Sequence, residues 1–340
     1  MAARVTQTDV ARMAGVSRQL VSLVVNDDPR VSPESRKAVL DAIERTGYRP
    51  NRMARSLAMA RSGVIGVVVP DFQNAFFGEL IQHIRAASEA EKLIPFATAA
   101  EGQEASAAIE RFVDFGVDGL ILVAPTLTQE QLDAYAKATP TVILTSSEAP
   151  ESADLIRTDD QQGSLACAQT LTAGGFAPLA FIGRKRFENA SSLTARAKGY
   201  RRAVEGMQEP IVVMLEGHEG DREIEKILDD LGPGSGIVAH DDALAFTIVS
   251  IALSRGMTLG HDLGITGFDN TYLSQFPGAQ ITSIDQGAGQ MGQLAVTYIL
   301  ERQAGRSRAK QTVLPPRLMQ RASSSNINKC EPRTDRAGNR

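Results

Sequence analysis

From Val64 onward the chain repeats one pattern, in which short apolar runs alternate with amphipathic stretches. The stretches carry apolar side chains at helical spacing, as at Phe77, Leu80 and Ile84. The runs that we interpret as strands are VIGVVVP, LIPFAT, GLILVA, TVILTS, LAFIG, IVVML, GIVAH and LGITGF. Such alternation predicts an α/β fold with parallel sheets that helices cover on both faces. Eight or more strands in roughly 260 residues favour two Rossmann-like lobes, with ligands bound beyond the carboxyl ends of the strands.

The first fifty or so residues follow a different, wholly helical pattern. Thr6 and Asp9 form a capping-box arrangement ahead of a first helix, which Gly15 interrupts. Ser17 then precedes a second short helix, and a third helix is predicted to begin after Ser32. Two short helices joined by a tight glycine turn indicate a helix-turn-helix. On spacing alone, any small three-helix bundle fits equally well.

Charge separates the same two regions. Residues 1–62 carry eleven Arg and Lys against six Asp and Glu, which leaves 25 basic and 34 acidic residues for the rest of the chain. The net charge is −4, so a basic head is attached to an acidic body. This distribution favours a nucleic-acid-binding module joined to a part that does not touch nucleic acid.

Composition argues against several classes of protein. No run approaches the roughly 20 apolar residues of a membrane helix, and the N-terminus lacks the layout of a secretory signal. We therefore expect no membrane contact and a cytoplasmic, nucleoid-associated protein. Cys167 and Cys330 are too few for a disulfide framework or a thiolate metal site. The four histidines lack metal-ligand spacing and a nucleophile partner, so we expect no metal, no cofactor and no catalytic site.

One motif supports a rival from another class, an NAD-dependent oxidoreductase. Gly287, Gly289 and Gly292 form the pattern GxGxxG between a strand and a helix. That fingerprint needs an acidic residue about 20 positions further on to hold a ribose, and the stretch 303–311 contains none. The motif therefore fails its own sequence context, and we expect that the protein is not an enzyme.

The whole head closely resembles the DNA-binding domain of the lac-repressor (LacI/GalR) family, over VTQTDVARMAGVSRQLVSLVVNDDPRVSPESRKAVLDAIERTGYRPNRMARSLA from Val5 to Ala58. The phrases VVVPDFQNAFFGEL, FGVDGLIL, TARAKGYRRAVEG, AHDDALAF, GITGFDN, SIDQGAGQMG and LPPRLMQRASS resemble the family's effector-domain motifs, in the same order. The resemblance extends from about residue 5 to residue 324. It implies a body of the periplasmic-binding-protein-like type, whose two lobes are joined by three crossovers.

The resemblance also implies boundaries for each part of the chain. The expected parts are a helix-turn-helix domain at 1–49, a hinge at 50–62, and an effector-binding domain at 63–324. Within that domain, the expected N-lobe comprises 63–173 and 289–313, and the C-lobe 174–288 and 314–324. We expect a disordered tail at 325–340, which lacks the heptads of a tetramerisation segment and so favours a dimer.

The second helix of a helix-turn-helix lies in the major groove with its N-terminal side chains facing base edges. Arg18 and Gln19 occupy that place, and they suit guanine and adenine respectively. Leu23 stands where the family often has another base-reading Arg, which allows the operator half-site to depart from the common family sequence. The phosphate contacts that the resemblance implies are Thr6, Ser17, Ser22, Asn26 and Ser32. Thr6, Ser17 and Ser32 would cap helices in either case.

The hinge segment from Asn51 to Ala58 is a good helix former that is too short to persist alone. The family uses this segment as a helix that forms when two copies meet in the minor groove, with Asn51 among the DNA-binding residues. A Leu is then wedged between base steps, and Leu57 occupies that place. A plain linker with an incidental Leu is the alternative.

The resemblance carries the family's ligand cleft onto Asn74, Phe76, Arg196, His218, Asp241, Asp269 and Gln286. Arg196 and Asp269 suit a hydroxylated or carboxylated ligand, one as a forked donor and the other as an acceptor. Asp269 could equally be a scaffold carboxylate that bonds loop amides. Asp241 replaces the Asn that is usual in the family, as Ala75 replaces a Pro, and it adds a side chain that can carry negative charge.

The predicted function is therefore a dimeric, operator-binding transcription regulator, which in this family is most often a repressor. Its expected partners are palindromic double-stranded operator DNA, a second copy of the chain, and a small polar effector such as a sugar or a sugar-derived metabolite. A corepressor-dependent regulator of the same family remains an alternative. A solute-binding protein would share the body but lack residues 1–58.

Overall fold

The computed structural model describes residues 5–25, 28–48, 61–185, 190–216 and 221–325. Internal contacts divide the chain into two units, Met1–Ser62 and Gly63–Arg340, which are the head and the body. The hinge residues Asn51 and Leu57 lie outside the described residues, as do Asn26, His218 and the tail beyond residue 325.

The described part of the head is a three-helix bundle of α1 (Gln7–Ala14), α2 (Arg18–Val25) and α3 (Pro33–Thr46). The predicted caps are present. The backbone N and Oγ1 of Thr6 donate to the carboxylate of Asp9 at 2.9 and 2.7 Å. Ser17 Oγ accepts from Leu20 N, and Ser32 Oγ accepts from Ser35 N. These contacts confirm the three predicted helices.

The core of the head is small and built from β-branched side chains. Val10 of α1, Val21 and Val24 of α2, and Val39 of α3 are all buried in one cluster. Gly15 ends α1 with a φ of 66°, a left-handed conformation that glycine adopts without steric cost. The chain can therefore turn sharply into α2 while the apolar faces of both helices stay on the core.

The body contains twelve strands and eight α-helices among its described residues. The strands are β1 (Val64–Val69), β2 (Ile94–Ala99), β3 (Gly119–Val123), β4 (Thr141–Leu144), β5 (Asp154–Thr158), β6 (Leu179–Arg184), β7 (Ile211–Leu215), β8 (Ser235–Ala239), β9 (Leu263–Thr266), β10 (Ser283–Asp285), β11 (Gln311–Leu314) and β12 (Arg317–Met319). The helices are α4 (Ala75–Ala90), α5 (Gly102–Phe115), α6 (Gln129–Ala138), α7 (Asp160–Gly174), α8 (Ser191–Val204), α9 (Asp221–Leu231), α10 (Asp242–Ser254) and α11 (Ala288–Gln303).

The first lobe is a six-stranded parallel sheet in the order β11-β5-β4-β3-β1-β2. Leu80 of α4 and Ile299 of α11 lie in the core on one face, and Ile109 of α5 lies in the core on the other. Every residue of β1, β3 and β4 is buried, as a parallel sheet covered on both faces requires. The α/β prediction is confirmed.

The second lobe contains a four-stranded parallel sheet in the order β7-β6-β8-β9. Beside it, β10 pairs with β12 in an antiparallel ribbon. Helix α7 packs on α8 and on β8 and β9, and it contributes Cys167, Ala168 and Leu171 to the core of this lobe. The predicted lobe boundary after residue 173 is therefore wrong, because the apolar face of α7 is buried in the second lobe and the crossover comes before it.

The predicted boundary at residue 314 also differs from the structure, by one residue. Leu314 pairs with Thr158 as the last residue of β11, so it belongs to the first lobe. The Thr158 hydroxyl donates to the backbone oxygen of Gln286 at 2.7 Å, and Asp159 N donates to the backbone oxygen of Leu314. The three crossovers between the lobes therefore lie side by side.

The glycines of the GxGxxG pattern have a packing role. A Cβ atom on Gly292 would lie 2.9 Å from the backbone of His83 and Ile84, so the glycine lets α11 approach α4 closely. Gly287 precedes α11 with a φ of 78°. Close contact between two helices explains this spacing without a dinucleotide. No helix in the described parts of the chain is long and apolar enough to cross a membrane.

Candidate functional site

A cavity of about 320 Å³ lies between the two lobes of the body. The first lobe contributes Pro70, Asn74, Phe77, Glu101, Ala124 and Thr126, and the second contributes Ala190, Ser192, His240 and Asp241. Pro70, Ala124 and His240 directly follow β1, β3 and β8, so the cavity lies at the carboxyl ends of the strands, where α/β folds bind ligands. Its size falls in the range of about 300–1,000 Å³ that is usual for small-molecule sites.

Asp241 is held at the start of α10, which it caps by accepting a hydrogen bond from Leu244 N at 2.8 Å. Its other oxygen lies 3.3 Å from Nδ1 of His240. Burial raises the pKa of Asp241, but His240, the Leu244 amide and Arg196 outweigh it and bring the pKa to about 2. Burial lowers the pKa of His240 below its usual value. Near pH 7 the cavity therefore presents a charged carboxylate beside a neutral imidazole.

Arg196 lies inside the second lobe, with only 4% of its surface exposed. Its Nε atom donates to Asp160 Oδ1 at 2.8 Å and its Nη1 atom donates to the backbone oxygen of His240 at 2.6 Å. The guanidinium also stacks over the ring of Phe268 at 3.6 Å. Burial alone would lower the pKa of Arg196, but Asp160 and Asp269 raise it. Arg196 thus positions the strand end that carries His240 and Asp241.

Asp269 and Gln286 meet next to the crossovers. Gln286 Nε2 donates to Asp269 Oδ1 at 2.6 Å, and Arg196 Nη1 lies 3.9 Å from the same oxygen. Burial raises the pKa of Asp269 well above its usual value, and the positive charge of Arg196 offsets this only in part. Asp269 has a φ of 108°, a strained conformation for a residue with a side chain. Both side chains are buried, so they belong to a network behind the cavity and not to its lining.

Asn74 reaches both the cavity and the opposite lobe. Its Oδ1 atom caps α4 by accepting from Phe76 N at 2.9 Å, and its Nδ2 atom lies 3.5 Å from Asp269 Oδ2. Phe76 and its neighbour Phe77 are both buried in the core of the first lobe, with 2% and 8% exposed, and Phe77 also lines the cavity. The described lining therefore includes Phe77 and not the predicted Phe76.

The structure places the predicted cleft residues in three settings. Asn74 and Asp241 line the cavity, while Arg196, Asp269 and Gln286 form the buried network behind it. Phe76 is in the core. The polar and aromatic lining residues that the sequence did not predict are Phe77, Glu101, Thr126, Ser192 and His240. Glu101 and His240 follow β2 and β8 closely, and this position at a strand end was the available signal.

The candidate DNA-reading residues lie on an accessible face of the head. Arg18 and Gln19, the first two residues of α2, are exposed beside Ser17. Ser22 and Leu23 are half-buried, and Leu23 packs against the core of the head. Exposed Arg and Gln side chains at the N-terminus of such a helix can reach base edges in a major groove.

Comparisons with known proteins bear on both parts of the chain. A family model described as "Bacterial regulatory proteins, lacI family" matches residues 6–51, and a "Periplasmic binding protein-like domain" matches residues 168–324. The "Catabolite control protein A" of Priestia megaterium is 32% identical over 304 residues, which cover 87% of this chain and 91% of the relative.

Two solved structures show the same fold. A lac repressor dimer bound to operator and the anti-inducer ONPF matches with a TM-score of 0.82 at 24% identity, over 95% of this chain and 100% of that one. A LacI family regulator from Enterococcus faecium with bound ribose matches with a TM-score of 0.70 at 23% identity, over 78% of this chain and 99% of that one. With a relative 32% identical over most of its length, the chain belongs to the lacI family of bacterial regulatory proteins.

Proposed function

We propose that this chain is a dimeric transcription repressor that binds a palindromic operator through α2 and responds to a small polar effector held between the lobes of the body. The proposal depends on the presence of two features in one chain. Arg18 and Gln19 are exposed at the start of α2, and a polar cavity lies between the two lobes of the body. A regulator of this kind acts in the cytoplasm on the nucleoid and needs no catalytic group.

DNA binding is supported by the separation of core residues from polar surface residues in the head. Valine side chains hold the three helices together, so the polar N-terminal residues of α2 are free of the core. An Arg can bind guanine O6 and N7 with two hydrogen bonds, and a Gln can bind adenine N6 and N7. A dimer presents two such helices, and its two-fold symmetry calls for a palindromic site.

The effector half is supported by the lining of the cavity. Asn74, Thr126, Ser192 and Asp241 offer donors and acceptors, and Phe77 offers an aromatic ring. Hydroxyl groups of a sugar both donate and accept hydrogen bonds, so they match this mixture. The Enterococcus faecium regulator has ribose bound, and a monosaccharide-sized metabolite suits the volume of this cavity.

Coupling between the halves is supported by hydrogen bonds that bridge the lobes. Ser147 N of the first lobe donates to Ser191 Oγ of the second at 2.9 Å, and Tyr272 N of the second donates to Glu79 Oε1 of the first at 3.1 Å. A ligand that contacts both lobes stabilises one lobe arrangement over another. Only such a difference in affinity between two arrangements can change the affinity for DNA.

The proposal is tested by selecting duplexes from random DNA with the purified chain and measuring binding to the selected site. We expect a palindrome bound by two chains, and an affinity that changes when the cognate effector is added. Loss of binding on addition would identify an inducer, and gain of binding a corepressor. Selection of no common sequence, or binding of one chain per site, would contradict the proposal.

A further inference from the structure

Two carboxylates, one from each lobe, line the cavity between the lobes. Glu101 belongs to the first lobe and Asp241 to the second, and no Lys or Arg is among the described residues of the lining. We propose that the cavity selects an effector that carries an amino group on a hydroxylated frame, such as an aminosugar, over neutral and anionic sugars. This inference rests on the proposed function and specifies the ligand class at the same site.

The charge of Asp241 is available to a ligand. One oxygen accepts from Leu244 N and the other faces His240 Nδ1, and each carboxylate oxygen can accept a further hydrogen bond. The imidazole of His240 is neutral near pH 7, so it donates a hydrogen bond without cancelling the charge. An ammonium group that meets this carboxylate would form a charge-assisted hydrogen bond, which is stronger than a neutral one.

Arg196 does not neutralise the lining. Its guanidinium is buried away from the cavity wall and is paired with Asp160 at 2.8 Å. A second buried carboxylate, Asp269, lies 3.9 Å from Nη1 of Arg196. The cation of the network is thus matched by Asp160, and the charge of Asp241 stays in excess.

Glu101 supplies the second carboxylate from across the cavity. It follows β2 and stands at the N-cap position of α5, yet its side chain makes no capping hydrogen bond to that helix. Phe77, on the same lobe, adds an aromatic ring to the lining. The face of such a ring attracts a cation that lies within about 6 Å of its centre.

Because the two acids lie on different lobes, their negative charge affects how readily the lobes close around a ligand. Like charges on the two lobes disfavour closure of an empty cavity, although solvent screens the charge of the exposed Glu101. An ammonium group between them replaces repulsion by attraction on both sides. A phosphate or carboxylate group would add a third negative charge to the same enclosed space.

The test compares sugars that differ in one group. Calorimetric titrations of the full chain would use glucosamine with glucose, galactosamine with galactose, and mannosamine with mannose. N-acetylglucosamine removes the charge and keeps most of the shape, and glucose 6-phosphate represents anions. The key variant is Asp241→Asn, because Asn caps a helix as well as Asp and removes only the charge. Asp114→Asn, on the exposed part of α5, is the matched control.

We expect the wild-type chain to bind the amine of at least one pair about tenfold more tightly than its hydroxyl partner, as one charge-assisted hydrogen bond predicts. N-acetylation and Asp241→Asn should each remove that preference, and Asp114→Asn should keep it. Equal or tighter binding of the neutral or phosphorylated sugars, or no preference in any pair, overturns the inference. If a neutral sugar binds at least as tightly as its amine and shifts operator affinity, the inference is wrong but the proposed function stands.

Discussion

The Nε atom of Arg196 lies 2.8 Å from Oδ1 of Asp160, and this buried ion pair joins α8 to the first turn of α7, where the chain has just entered the second lobe. Removing one partner leaves the other as a buried charge without compensation. We therefore expect Arg196→Ala to destabilise the body by about 3–5 kcal/mol and to disturb the strand end that carries His240.

Calorimetric unfolding of the body would measure that loss. Arg201→Ala, on the exposed side of the same helix, is the control and should unfold like the wild type. The head has its own core, so DNA binding by the folded fraction should persist. An Arg196→Ala protein with an unchanged unfolding temperature would show that the ion pair is dispensable for the fold.

Two glycines of α11 should respond to the same substitution in opposite ways. A Cβ on Gly292 would lie 2.9 Å from the backbone of α4, so Gly292→Ala should cost about 1–3 kcal/mol of stability through overpacking. A Cβ on Gly289 would meet only the ring of His83 at 3.6 Å, so Gly289→Ala should be neutral or stabilise by about 0.5–1 kcal/mol. Thermal denaturation would measure the change in stability of each variant. Equal changes would contradict the packing explanation of the GxGxxG pattern.

Arg18 should contribute to sequence reading more than to general DNA affinity. We expect Arg18→Ala to weaken operator binding by about 1–3 kcal/mol and binding to random duplexes much less. Arg18→Lys, which keeps the charge but loses the two-pronged donor, should recover little of the specificity. Fluorescence anisotropy on both kinds of DNA measures the difference. Equal losses on both would assign Arg18 to a phosphate.

The stability of the body should fall as the pH rises from about 4 to about 7. Asp242 accepts hydrogen bonds from Thr271 and Ser283, but burial raises its pKa to about 7 from the usual 3.8. In this window the folded chain holds a proton that the unfolded chain has lost, so the free energy of unfolding decreases with rising pH. One pKa unit corresponds to about 1.4 kcal/mol, which sets an upper limit of roughly 4 kcal/mol for Asp242.

Asp242→Asn should flatten that slope, since the amide does not titrate. Asp241, with a pKa near 2, contributes in the opposite sense and only below about pH 4, so it does not mask the effect. Calorimetry at several pH values between 4.5 and 7.5 would compare the two proteins. Parallel slopes would assign the pH dependence to another group, of which Asp269 is the nearest candidate.

All eight strands anticipated from the sequence are present, because each is a short apolar run in a parallel sheet. Six of them are buried, and the edge strands β2 and β7 are more exposed. Four strands were missed, namely β5, β10, β11 and β12, and β5 shows where this signal ends. Its sequence DLIRT begins with an acid, and the structure buries Asp154 by pairing it with Arg302 and Arg306, about 150 residues further along the chain. Partners so distant in sequence cannot be recognised from a local pattern.

The sequence predicted the residues of the site less completely than it predicted the fold. Position along a motif identified Asn74 and Asp241, but it could not separate Phe76 from Phe77. Neighbouring helix residues differ by about 100° in direction, and only packing shows which of the two buried rings also reaches the cavity. His240 was set aside for lack of a metal or nucleophile partner. Its place in the lining follows from the end of β8 meeting the opposite lobe across the cavity.

The last strand and helix of the first lobe are made late. Met291, Val296 and Ile299 of α11 and Leu314 of β11 complete a core that begins with Ile65. During synthesis the first lobe therefore stays incomplete until the whole second lobe has left the ribosome. Until then an apolar face of its sheet and the edge of β5 are uncovered. Exposed strand edges and apolar faces are what chaperones bind and what drives aggregation. A chain stalled or truncated before residue 288 should depend on chaperones far more than the finished protein.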